Sequence, residues 1–221
     1  MQLCEDPIST FFSLSDCPVV LNIPSYIDPC SGDVIRKDVD FDIRSVDCCY
    51  GNRQIELQSI LDGLFFEHGR LRPHERTLCW FPTYLKHFTE TSNQIIGTSC
   101  TTDVLSLDQK LYLAIMAVSC YQCDYLLNIL EEQFLLEGGD LTWISDGLGK
   151  ADPRLVRFSE LNEIMAFRPW SLSTIHLQRV LLGDGASPQI SVAQLVKGAI
   201  VLAHYHSLCS FVLGQGLTED S

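Results

Sequence analysis

The sequence predicts an all-α protein, a helical bundle organised around one long central helix. Three observations carry that expectation. Residues 107–137 contain neither proline nor glycine, and the run opens at Ser106 with Gln109 three residues on, the spacing of a capping box. It closes at Gly138 and Gly139, which tolerate the left-handed stop of a helix. The same signature recurs at Ser191 and Gln194, which start VAQLVKGAIVLAHYHSLCSFVL, stopped by Gly214 and Gly216. Strand-like alternation is confined to residues 38–43, where Asp38, Asp40 and Asp42 interleave with Val39, Phe41 and Ile43.

Taken in order, residues 1–50 are rich in turn formers (Pro7, Pro18, Pro24, Pro29, Gly32) and are expected to form an irregular N-terminal arm. The three aspartates read as an acidic exposed turn or edge, since a calcium loop needs further ligands and a glycine at fixed positions. From Gln54 the period becomes helical: Ile55, Ile60, Leu61, Leu64 and Phe65 recur at that spacing, ending near His68 and Gly69. Pro73 suits the first turn of a second helix, which Pro82 either kinks or splits. Trp80, Phe81, Tyr84, Leu85 and Phe88 would form its aromatic core face.

Residues 97–105 make a polar loop into the central helix, whose last turns carry Glu131, Glu132 and Glu137. Those charges oppose the helix dipole, so tertiary packing must hold that end. A short segment follows, anchored by Trp143. Ser159 then opens ELNEIMAF, closed by Pro169, and Ser173 opens TIHLQRVLL, closed by Gly183. The last helix is apolar enough for a membrane span. A central Lys197 would cost about 2.5–3.5 kcal/mol there, Gln194, His204 and His206 also lie inside it, and no basic or aromatic flanks exist. It reads as a buried core helix.

Apolar residues make up 46% and charged residues 19%, a globular composition. The net charge of −13, from 15 basic and 28 acidic residues, excludes sequence-independent nucleic-acid binding, which needs a basic face. It disfavours electrostatic docking to anionic lipid as well. The N-terminus, MQLCEDPIST, has no secretory pattern, and ten cysteines then fit a reduced compartment with free thiols. A single CxxC, Cys120 and Cys123, falls short of a structural zinc set, so no metal is expected, and nothing implies a cofactor.

On one continuous helix, Cys120 and Cys123 would share a face one turn apart. That spacing permits a vicinal disulfide if the backbone gives a little, and it is also the spacing of thiol oxidoreductases. The attacking species is a thiolate, which needs a cation, a helix N-terminus or hydrogen bonds to form below ~8.5. The sequence shows no such activator: Asp124 adjoins Cys123, the expected helix start is several turns away, and the nearest upstream base is Lys110. A reactive pair and two ordinary buried cysteines both stay open. Tyr121 and Tyr125 flank Cys123, as proton relays or as amphipathic core residues. His204 and His206, two apart, face different ways and make no two-histidine metal site; one of them either approaches Cys123 or is a satisfied core histidine.

Three blocks, YLAIMAVSCYQCDYLLNILEEQFLLEGGD, LNEIMAFRPW and LVKGAIVLAHYHSLCSFVLGQG, resemble in order and spacing the N-terminal half of the sestrins, over residues 71–217. The resemblance implies an AhpD-like (alkylhydroperoxidase-like) helical domain over residues 51–217, with 218–221 the start of a linker or the chain end. It implies a stress-responsive protein of cytoplasm and nucleus that restrains TOR-complex signalling by binding the GATOR complex. An alkylhydroperoxide reductase activity is implied as well. The family site is a cysteine, a tyrosine two residues on and a histidine seven residues on from the cysteine. Cys123 and Tyr125 match, but Leu130 stands at the histidine position. Seven residues is two helical turns, so the histidine would face the cysteine as base or relay, and leucine can do neither. Cys120 is a further departure, with the role of a resolving thiol. The family continues into a C-terminal domain that carries the leucine pocket and much of the GATOR contact, which is expected outside this sequence. Two functions therefore compete: a regulator acting through protein contacts, and a thiol-dependent hydroperoxide reductase using Cys123, Tyr125 and Cys120.

Overall fold

A computed structural model describes residues 51–97, 104–183 and 189–217. All regular structure among them is helical, as expected of an all-α bundle. The arm expected over residues 1–50 lies outside the described residues. The described residues divide into two compact units, one of residues 51–90 and one drawn from residues 91–217.

In the first unit, α1 (Gly51–His68) ends at Gly69, whose positive φ of 73° supplies the helix stop. Pro82 splits the next segment rather than kinking it: α2 is Pro73–Leu78 and α3 is Pro82–Ile96, running on past the unit boundary. Glu75 Oε2 accepts from the Arg72 backbone N–H at 2.8 Å, closing the start of α2. Leu61, Leu64, Leu71, Leu78 and Leu85 are buried. The expected aromatic face is only partly core, for Phe81 and Tyr84 are exposed. Tyr84 stacks on Phe88 instead, and Phe88 meets His74 edge-on.

The second unit departs from the sequence reading at its centre. Residues 106–139 do not form one helix. They form α4 (Leu107–Ser119) and α5 (Asp124–Leu136), separated at residues 120–123. The caps at the outer ends are as expected, with Gln109 Oε1 accepting from the Ser106 N–H at 3.2 Å and Gly138 at φ 82°. Residues 110–118 of α4 are buried on every side, as befits the innermost helix of a bundle. Its Lys110 is buried with Nζ donating to the Gly97 carbonyl at 3.0 Å. Phe134 holds the acidic end of α5 by packing on Tyr112 and Trp143, and Tyr112 Oη donates to the Trp143 carbonyl.

Short helices α6 (Leu141–Ser145) and α7 (Pro153–Val156) lead to α8 (Phe158–Phe167) and α9 (Thr174–Leu182). The helix α8 starts just before the expected Ser159 and carries no side-chain cap. The last helix, α10 (Val192–Gly214), has the expected capping box, with Gln194 N donating to Ser191 Oγ at 3.1 Å and Ser191 N to Gln194 Oε1 at 2.9 Å. It is long and apolar enough to cross a membrane by length and composition. One face, from Leu195 through Val201, Leu202, Tyr205 and Cys209 to Val212, is buried, and the helix packs on α4, α8 and α9. Gly198 lets α10 approach α8, because a Cβ there would run into the ring of buried Phe158.

Candidate functional site

The break between α4 and α5 is where the sulfur atoms collect. At the end of α4, Ser119 Oγ bonds back to the Ile115 carbonyl at 2.7 Å, a competing bond that weakens a helix. Tight turns follow, from Tyr121 N to the Val118 carbonyl and from Gln122 N to the Ser119 carbonyl. Gln122 then takes φ 52°, the left-handed region, and is the one non-glycine to do so among the described residues. That conformation costs on the order of 1–2 kcal/mol for a residue with a Cβ, and strain of this kind gathers at functional sites.

The break re-places both cysteines. Cys120 sits at the C-terminal cap of α4, and Cys123 at the N-terminal cap of α5, with its carbonyl accepting from Leu127 N at 3.0 Å. They therefore do not share one helix face, and the helix start that seemed several turns away adjoins Cys123. The Cys123 side chain makes no capping hydrogen bond to α5. Cys79, Cys120, Cys123 and Cys209 are free thiols, so the described pair forms no vicinal disulfide.

Each sulfur at the break has a hydrogen-bond partner. Asn162 of α8 is buried and uses its amide fully. Nδ2 donates to the Met116 carbonyl at 2.8 Å and to Cys120 Sγ at 3.1 Å, while Oδ1 lies 2.8 Å from His206 Nε2. Met116 belongs to the last turn of α4, whose carbonyls lack a partner farther along the helix. Because Oδ1 can only accept, His206 carries its proton on Nε2 and donates. Burial pushes His206 down to about 4, so the ring is neutral near pH 7.

Three residues on, and so on the same face of α10, Cys209 meets Cys123. Burial first, then the adjacent, hydrogen-bonded Cys123, push the Cys209 thiol up to about 12. Cys209 thus keeps its proton in that contact. Burial also pushes the Cys120 thiol up and Glu163 adds to the rise, while the Asn162 hydrogen bond pulls it down.

Cys120 and Cys123 lie at this cluster. Cys123 is 2% exposed, whereas Cys120 is half-buried. Tyr125 is buried in the first turn of α5. Tyr121 brings a phenol to the cluster, with its ring centroid 5.5 Å from that of His206 and its Oη donating to the Ala166 carbonyl. Leu130, at the position of the family histidine, is 2% exposed and packed in the core. His204 points elsewhere, with Nε2 3.2 Å from Ser92 Oγ. Among the described residues no group of three or more histidine, cysteine or acidic side chains could hold a metal ion. The sequence reading missed Asn162 and Cys209. A polar Asn162 inside the apolar run LNEIMAF was the available signal, since a buried amide must find partners.

The family model described as PA26 p53-induced protein (sestrin) matches residues 43–221. Sestrin-1 of Mus musculus is 32% identical over 170 residues, 77% of this chain and 33% of that protein. Sestrin-3 of Mus musculus is 39% identical over 152 residues, 69% of this chain and 30% of that protein. The sestrin homolog of Drosophila melanogaster is 35% identical over 140 residues, 63% of this chain and 27% of that protein. The chain spans about a third of the length of these curated relatives.

Proposed function

The chain belongs to the sestrin family, and from that premise we propose that it is a stress-response regulator of cytoplasm and nucleus. It restrains TOR-complex signalling through protein contacts, the GATOR complex among them, and limits reactive oxygen species. The observation that carries the contact reading is an exposed apolar run after α8. Trp170 is 82% exposed, and Phe167, Leu172 and Ile175 beside it in sequence are exposed too. Exposed aromatic and aliphatic side chains gathered in one segment are the material of binding hot spots. Leu130 points the same way, because general-base assistance worth roughly 10²–10⁴-fold cannot come from it. The test is phosphorylation of TOR-complex substrates in amino-acid-limited cells expressing this chain or its Trp170→Ser variant. Restraint by the former and its loss in the latter support the reading; equal phosphorylation with and without the chain refutes it.

A second reading, thiol-dependent reduction of alkyl hydroperoxides at Cys123 with Tyr125 assisting and Cys120 resolving, is favoured by one observation. Cys123 stands at the N-cap position of α5, with Cys209 hydrogen-bonded to it. Hydroperoxide consumption by the purified chain, compared with Cys123→Ser and Cys120→Ser, tests it. Background turnover in all three would end that reading.

A further inference from the structure

We propose that Cys120, rather than Cys123, is the thiol that meets hydroperoxide, with Asn162 and His206 as its positioning residues. The inference rests on the thiol reading above and changes which of its cysteines attacks. Access is the first argument: Cys120 is half-buried at the end of α4, whereas Cys123 is 2% exposed and faces Cys209. The second is the donor. Asn162 Nδ2 sits 3.1 Å from Cys120 Sγ, and this amide cannot turn away, because its other N–H is committed to Met116 and its oxygen to His206. This fixed N–H pulls the Cys120 thiol down against the larger rise that burial imposes, and after reaction it stabilises the sulfenate. This is a different device from a histidine on the same helix as the cysteine, and it does not use position 130.

His206 acts through Asn162. Its Nε2–H is spent on Oδ1, so it orients the amide and moves no proton itself. The other titratable groups acting on Cys120 or on its neighbour Cys209 are Glu163, Tyr121 and Cys123. In the reaction, a lone pair on the Cys120 thiolate attacks the outer peroxide oxygen. The S–O bond forms, the O–O bond breaks, and the alkoxide leaves as alcohol with the proton the thiol gave up. Cys120 is oxidised by two electrons to sulfenic acid and the hydroperoxide is reduced to alcohol. A dithiol returns Cys120 to the thiol, becoming a disulfide and releasing water.

The test treats the full chain with substoichiometric cumene hydroperoxide, traps sulfenic acid with dimedone and locates the adduct by mass spectrometry. The adduct is expected on Cys120, roughly tenfold or more above Cys123 and Cys209, because Cys120 is the most accessible of the three and has the amide donor as well. An adduct forming first on Cys123 would overturn this inference and leave the thiol reading standing. No adduct above that of free cysteine would overturn both. The pH profile of Cys120 alkylation isolates the positioning pair. Asn162→Leu and His206→Leu should shift the profile to higher pH and slow alkylation at pH 7.5 about tenfold or more, whereas His206→Gln, which keeps an N–H donor, should restore it. A profile unchanged in Asn162→Leu would overturn the positioning role. Should the leucine variants not fold, the wild-type adduct pattern still decides.

Discussion

Asn162 donates to Cys120 Sγ at 3.1 Å and accepts from His206 at 2.8 Å, so a single amide ties α8 to both the helix break and α10. The same side chain satisfies the Met116 carbonyl at the end of α4. Replacing Asn162 with leucine keeps the branched shape and strands those groups in the core. Each buried polar group left without a partner costs about 1–3 kcal/mol. Asn162→Leu should therefore lower unfolding stability by about 2–4 kcal/mol, read from denaturant midpoints at constant slope. A loss well under 1 kcal/mol would show that the network contributes little to the fold.

Gln122 offers a change of the opposite sign. Glycine adopts φ 52° without a Cβ clash, at the cost of some extra freedom in the unfolded chain. Relief of about 1–2 kcal/mol of strain against about 0.5–1 kcal/mol of entropy leaves Gln122→Gly more stable by up to roughly 1.5 kcal/mol. Thermal unfolding checks it: Tm should rise, and a fall would mean that the Gln122 side chain makes a contact worth more than the strain.

Gly198 tests the seam between α8 and α10. Phe158 is too deeply buried to swing away from a new Cβ. Gly198→Ala should therefore destabilise by about 1–3 kcal/mol even though alanine is the better helix former. A neutral or stabilising result in denaturant unfolding would show that α10 can slide on α8.

The histidines give the pH dependence a sign. Burial holds His206 at about 4 rather than 6.5 in the folded protein. Between those values the unfolded chain binds a proton that the folded chain refuses, so stability falls as pH drops through the window. His68, pushed to about 4 by burial and then by Arg72, acts in the same direction, and His204 is lowered by burial as well. Tm should be flat near neutrality and decline from about pH 6.5 toward pH 4. The decline should be shallower in His206→Gln; an identical slope would mean that His206 charges freely.

Much of the fold was legible because its signals are local. The capping pairs at Ser106 and Ser191, the glycine stops and the proline at position 82 each fix a helix end with their own chemistry. The break at residues 120–123 was not legible, because a glutamine rather than a glycine or proline makes the turn. Only the surrounding packing holds Gln122 in the left-handed region, and no window of sequence contains that packing. The site followed the same division. Cys120 and Cys123 were visible as a spacing. Asn162 and Cys209 join them across separations of more than forty residues, and only helix packing sets such contacts.

The proposed restraint of signalling through contacts, with the thiols serving a separate end, makes a direct prediction in cells. The most direct measurement is TOR-substrate phosphorylation in amino-acid-limited cells carrying the wild-type chain, Trp170→Ser, or Cys120→Ser/Cys123→Ser. Restraint should persist in the double-cysteine variant and disappear in Trp170→Ser. Restraint lost with the cysteines and kept without Trp170 would contradict the account.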